Sequence, residues 1–168
     1  MTKEKEASAE IEEAAEKLVT CLTQKKQTVV LAESCTAGLV AAAIASVPGA
    51  SAVLWGSFVT YALDAKEKLL AVPPQLLRRH GAVSRECALA MARGALTKSG
   101  ADIACAVTGL AGPDGDGSET PVGTVWIAVQ KQNDQARANV YHFEGGRAGI
   151  RDAAALQSLL EIIRNYNC

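Results

Sequence analysis

Thr28-Val29-Val30-Leu31-Ala32-Glu33-Ser34-Cys35-Thr36-Ala37-Gly38 is the stretch that decides the fold. Its apolar, β-branched opening predicts a strand over Thr28 to Ala32. The alanine-rich segment from Gly38 to Val47, ended by Pro48-Gly49, predicts a helix directly after it. A strand that turns at once into a helix belongs to an α/β sheet, and the turn lies at the mouth of that sheet. Ser34 sits in the turn beside unpaired amides of the helix N-terminus, which makes its hydroxyl a candidate nucleophile. The same position also suits Ser34 or Thr36 as a simple cap of the following helix.

The pattern on either side supports this architecture. Ile11, Ala14, Ala15, Leu18, Val19 and Leu22 recur at helical spacing among Glu and Lys, predicting an amphipathic helix from about residue 7 to 24. Downstream, a strand is predicted from about Ala52 to Thr60, then a helix from near Ala62 that carries Lys66 and Lys68. A short helical turn follows Pro73-Pro74 to Arg79, and Ser84 with Glu86 opens a longer helix through about Ser99. Asp102 to Val107 reads as a strand, and Gly123 to Val129 with Ala138 to Phe143 as a hairpin around the turn Lys131 to Gln135. A last helix runs from about Gly149 to Tyr166. The expectation is one domain over residues 1–168, with residues 1–8 frayed, built as a three-layer α/β/α sandwich on a mixed, mainly parallel sheet.

Composition narrows the function classes. The 168 residues are 49% hydrophobic and 21% charged with a formal net charge of −1, so no polybasic stripe implies a nucleic-acid partner. The Glu- and Lys-rich N-terminus is not a secretory signal and no segment approaches a membrane span, so a cytoplasmic protein is expected. Five scattered cysteines (Cys21, Cys35, Cys87, Cys105, Cys168) without a C-x-x-C pair, and two distant histidines (His80, His142), predict neither a disulfide framework nor a zinc site. Cys35 is a rival nucleophile to Ser34 or a buried thiol. The apolar strands and the N-terminal helix suit a homodimer or a monomer equally.

Three loops leave the carboxyl ends of the predicted strands, after Ala32, Thr60 and Val107. The second carries Tyr61 and, about one helical turn further, Lys66, so both side chains can enter one mouth. A serine needs a base, and without a suitable histidine a desolvated lysine is the natural acceptor, with Tyr61 relaying or positioning the proton. The bland alternative is a tyrosine at a strand end and a solvated helix lysine. The absence of a G-x-G-x-x-G fingerprint after the first strand disfavours a nicotinamide-dependent redox role. The third loop, Thr108-Gly109-Leu110-Ala111-Gly112-Pro113-Asp114-Gly115-Asp116-Gly117-Ser118, offers bare backbone amides and the Thr108 hydroxyl to an anion such as a monophosphate. It lacks the Lys-Ser/Thr pair of a triphosphate-binding loop and the spacing of a calcium loop. Arg147, after Gly145-Gly146, can pair a phosphate or carboxylate, and Arg151 competes with it for that role.

Together AESCTAG (32–38), FVTYALDAK (58–66), HGAVS (80–84), VTGLAGPDG (107–115) and the run Pro121-Val122-Gly123-Thr124-Val125 closely resemble the CinA C-terminal-domain family of bacterial nicotinamide mononucleotide deamidases, in order and spacing from about residue 10 to 165. The resemblance implies a five-stranded α/β/α domain and hydrolysis of the carboxamide of nicotinamide mononucleotide, giving nicotinate mononucleotide and ammonia without metal or organic cofactor. It implies Ser34 as nucleophile, Tyr61 and Lys66 as its activating pair, and Thr108, Gly109 and Gly112 as the substrate-cradling loop. Arg147 matches the family's arginine near the last helix. Cys35 and Thr36 would contact the substrate, their amides stabilising the oxyanion. Ala37 stands where many members carry glycine and would narrow the pocket or tighten the turn; Leu63 replaces a usual asparagine and removes a polar contact. Two classes thus stand side by side: an amidohydrolase of pyridine nucleotide salvage, and a catalytically silent nucleotide-binding or interaction domain of the competence/damage-inducible type.

Overall fold

The computed structural model describes residues 3–168. Its strands are β1 (Val29–Glu33), β2 (Leu54–Val59), β3 (Ile103–Gly109), β4 (Thr124–Lys131) and β5 (Arg137–His142), in the spatial order β2-β1-β3-β4-β5. β1 is parallel to β2 and β3, β4 is antiparallel to β3, and β5 is antiparallel to β4. β1, β2, β3 and β5 therefore point the same way, and the expected mixed, mainly parallel five-stranded sheet is the one found.

Alternation along the strands makes the three layers. Val29 and Leu31 of β1 and Ile103, Cys105 and Val107 of β3 face α1 (Lys3–Lys25), α2 (Leu39–Ala45) and α6 (Arg147–Asn165). Val30, Ala32, Ala104, Ala106 and Ala128 face the other way, against α3 (Leu63–Leu70), α4 (Pro74–His80) and α5 (Arg85–Ser99). Small residues on that second face let α5 lie close to the sheet. α5 also lies close to α3, since a Cβ on Gly94 would stand 2.0 Å from the Leu70 carbonyl oxygen.

Element boundaries differ from expectation for local reasons. α1 is helical from Lys3; the fraying expected over residues 1–8 falls partly on residues 1 and 2, outside the described residues. α2 starts only at Leu39 because Ala37 (φ 50) and Gly38 (φ 99) are left-handed. β2 starts at Leu54 because Ala50–Ala52 forms a 3-10 turn. Among the described residues no helix is long and apolar enough to cross a membrane.

One expectation is overturned. Cys21 of α1 is disulfide-bonded to Cys168, with Cα atoms 5.3 Å apart. The bond joins residues 147 apart in sequence because the end of α1 and the segment after α6 lie side by side, a proximity that cysteine spacing does not reveal. Cys35, Cys87 and Cys105 are free and buried.

Candidate active site

The carboxyl ends of β1, β2 and β3 meet at one edge of the sheet. The Ser34 amide donates to the Val107 carbonyl at 2.9 Å and the Thr60 amide to the Glu33 carbonyl at 2.8 Å, so the ladder holds the three following loops in register. Between them opens a cleft of about 250 Å³ lined by Ser34, Cys35, Tyr61, Lys66, Thr108, the segment from Gly109 to Gly112, and Arg147. Neither histidine lines it: His80 faces Glu86 and His142 faces Thr124.

Lys66 projects from the first turns of α3 and is only 1% exposed. Its Nζ lies 2.9 Å from Ser34 Oγ, 2.5 Å from the Thr60 carbonyl oxygen and 3.4 Å from that of Tyr61. Burial pushes its pKa below the ordinary lysine value, a shift that Cys87 and Cys35 partly oppose. Both carbonyls can only accept. In a neutral amine they take the two N–H groups, which leaves the lone pair for the Ser34 hydroxyl proton. The arrangement thus puts a serine hydroxyl in direct contact with a buried lysine amine that, when neutral, can take its proton.

Cys35 lines the same cleft, but burial pushes its thiol up to about 11, against the opposing pull of the Cys35 and Thr36 amides and of Lys66 and Arg151. It is therefore held as the thiol rather than the thiolate near neutral pH.

Glu33 explains the shape of the turn. Expected within the loop, it is the last residue of β1 and fully buried. Its carboxylate accepts from the amides of Gly38 (2.8 Å), Val40 (3.2 Å) and Ala41 (3.1 Å) and from Ser57 Oγ (3.0 Å). It therefore caps α2 from inside the protein and takes up the amides that the sequence suggested were free for an anion. The amides that reach no carbonyl or carboxylate are earlier: among the described residues, Cys35 and Thr36 N–H meet only the Cys35 thiol. The Thr36 side chain does not line the cleft. It is buried with its hydroxyl unpaired, so Thr36 can offer a substrate only its main-chain N–H.

Tyr61 stands at the mouth, 56% exposed, and its hydroxyl accepts from Arg147 Nη2 at 2.6 Å. It does not lie between Lys66 and Ser34, whose contact is direct. Arg147 also donates from Nη1 to the Gly112 carbonyl at 2.7 Å, so the cation bridges two walls of the cleft. Thr108 lines the wall, but its hydroxyl donates to the Ala82 carbonyl at 2.7 Å and fastens the HGAVS segment to the end of β3. Arg151, the other candidate cation, does not line the cleft and donates to the Cys35 and Thr36 carbonyls, each at 3.0 Å. Ala37 is exposed and Leu63 is 55% exposed; neither lines the cleft, so neither departure alters its walls.

The serine and the lysine were legible from residue type and spacing, while the structural roles of Glu33 and Arg151 were missed. Their only sequence signal was a carboxylate just before the turn and an arginine on the apolar side of the last helix.

Residues 11–166 match the family model of the CinA C-terminal domain. A CinA-like protein of Geobacter metallireducens is 52% identical over 132 residues, 79% of this chain and 32% of the relative. A putative competence-damage inducible protein of Symbiobacterium thermophilum is 47% identical over 153 residues, 86% of this chain and 36% of the relative. The chain thus spans about a third of the length of these curated relatives. Among solved structures, the competence/damage inducible protein CihA of Agrobacterium tumefaciens superposes with a TM-score of 0.89 at 43% identity, covering 92% of this chain and 94% of that one. The competence damage-inducible protein A of Klebsiella pneumoniae does so with a TM-score of 0.91 at 32% identity, covering 94% and 97%. With its fold and its sequence both agreeing with these relatives, the chain belongs to the CinA C-terminal domain family.

Proposed function

We propose that the protein is a cytoplasmic amidohydrolase of pyridine nucleotide salvage that deamidates nicotinamide mononucleotide. The observation that carries this reading is the buried Lys66 Nζ, 2.9 Å from Ser34 Oγ, at the floor of a cleft whose rim carries Arg147. In the first step Ser34 Oγ bonds to the carboxamide carbon and its proton passes to Lys66. The carbonyl oxygen becomes an oxyanion and accepts from the N–H groups of Cys35 and Thr36. As the C–N bond breaks, Lys66 returns the proton to the leaving nitrogen and ammonia departs. Water then adds to the ester with Lys66 again taking a proton, and collapse releases the acid and Ser34. Arg147 holds the phosphate at the rim beside the bare backbone of the Gly109 to Gly112 segment.

Comparing substrates tests this reading. Nicotinamide mononucleotide should yield ammonia and nicotinate mononucleotide, and nicotinamide riboside, lacking the phosphate that Arg147 meets, should show a KM at least about tenfold higher. Ammonia release from neither compound would remove the deamidase reading.

A further inference from the structure

Three successive carbonyls around the nucleophile, those of Ser34, Cys35 and Thr36, are held in a fixed pattern. The Ser34 carbonyl accepts from the Ala37 amide at 3.1 Å. The Cys35 carbonyl accepts from Arg151 Nε at 3.0 Å. The Thr36 carbonyl accepts from Arg151 Nη2 at 3.0 Å and from the Leu39 amide at 3.2 Å. In a trans peptide the C=O and the N–H of one plane point in opposite directions. Fixing the Ser34 carbonyl therefore turns Cys35 N–H the other way, and fixing the Cys35 carbonyl does the same for Thr36 N–H. Both amides then lie on the side of the Cys35 thiol, which lines the cleft with Ser34.

The Cys35–Thr36 plane has no main-chain partner for its carbonyl among the described residues; its bond comes from Arg151. No carboxylate pairs with Arg151 among the described residues, so its guanidinium is committed to the turn. We propose that Arg151 is a positioning residue that aims the Thr36 N–H at the oxyanion. Its bond to the Cys35 carbonyl holds the Thr36 donor in place before substrate arrives, and its bond to the Thr36 carbonyl steadies the next peptide plane. This rests on the deamidase reading for its reaction, but the geometry concerns any tetrahedral adduct of Ser34. Arg151 touches no reacting atom, and its effect falls on the transition state, where the oxyanion exists, rather than on ground-state binding.

The test uses Arg151→Met, which keeps the stem and loses the donors, and Arg151→Lys, which keeps one cationic donor. For nicotinamide mononucleotide, Arg151→Met should lower kcat about 10- to 100-fold with KM changed less than about twofold, and Arg151→Lys should fall between it and the wild type. Arg147→Met should instead raise KM. A merely structural arginine would lower the melting temperature without this split. Turnover alone cannot separate this claim from the deamidase reading, so a pyridineboronic acid serves as the second probe. The Ser34 oxygen adds to boron, Lys66 takes its proton, and one boronate oxygen meets the Cys35 and Thr36 amides. Arg151→Met should weaken this adduct by a factor similar to its loss of kcat. A wild type that binds the boronate but releases no ammonia would refute the deamidase reading and leave the role of Arg151 standing, provided the variant weakens the adduct. Should Arg151→Met fail to fold, Arg151→Lys carries both measurements. An Arg151 variant equal to the wild type in both, a loss confined to KM, or no boronate adduct with the wild type would overturn the proposal.

Discussion

The burial of Lys66 sets how the proposed reaction should respond to pH. Its ammonium is disfavoured by desolvation, so its pKa in the folded protein lies below the usual 10.5. The neutral amine is the form that can take the Ser34 proton, so kcat/KM should rise with pH and level off past that depressed value. The unfolded chain keeps an ordinary lysine, so it binds more protons than the native state between the two values. Stability should therefore rise with pH across that window, as a penalty that is complete below the folded value is relieved. Lys66→Met should remove the ascending limb and lower kcat by about 10²- to 10⁴-fold, measured by a pH series of initial rates beside the wild type. Ala37 offers a separate test. Its φ of 50 is left-handed and its methyl is exposed, so Ala37→Gly should stabilise the protein by about 0.5–1 kcal/mol in denaturant unfolding without altering turnover. Ser34 and Lys66 were readable as a candidate pair because a serine nucleophile needs a base and no histidine suited, although a helix cap and a solvated lysine fitted the same positions taken singly. Glu33 and Arg151 were not readable as braces, because their partners are main-chain atoms whose direction depends on the folded turn.

At the scale of elements, the base is only as well placed as α3, and α3 is placed by α5. Gly94 of α5 lies so close to the end of α3 that an added Cβ would meet the Leu70 carbonyl oxygen at 2.0 Å. Helix propensity alone predicts that Gly94→Ala stabilises by about 1 kcal/mol. Contact with rigid backbone reverses the sign: the variant should be destabilised by about 1–3 kcal/mol, read in denaturant unfolding. Because the displaced helix carries Lys66, its turnover should fall as well, in contrast with Ala37→Gly. The elements themselves were legible from periodicity and from punctuation such as Pro74 and Ser84, whose hydroxyl accepts from the Cys87 amide at 3.1 Å as the first turn of α5 forms. Their ends were less so. The 3-10 turn at Ala50–Ala52 and the left-handed residues before α2 shorten β2 and α2 by local conformations that composition does not encode.

For the whole molecule, the disulfide closes the chain into a loop. Cys21 and Cys168 stand 147 residues apart, and chain entropy limits the contribution of such a crosslink to about 5 kcal/mol. Reduction should lower the melting temperature in a thermal scan and leave turnover at moderate temperature unchanged, since the bond lies near the amino end of β1 while Ser34 follows its carboxyl end. The three layers were legible from the alternation of helices and strands along the chain, but a contact between the two ends of the chain was not, because it arises only once α1 and α6 pack together. That packing leaves the cleft on the opposite edge, where all the proposed chemistry is gathered. The most direct test is ammonia release from nicotinamide mononucleotide by the wild type, Ser34→Ala and Lys66→Ala, with folding of each checked by thermal melting. Release by the wild type and its loss in both folded variants is the predicted result. Turnover that survives in Ser34→Ala or Lys66→Ala would contradict the serine–lysine account.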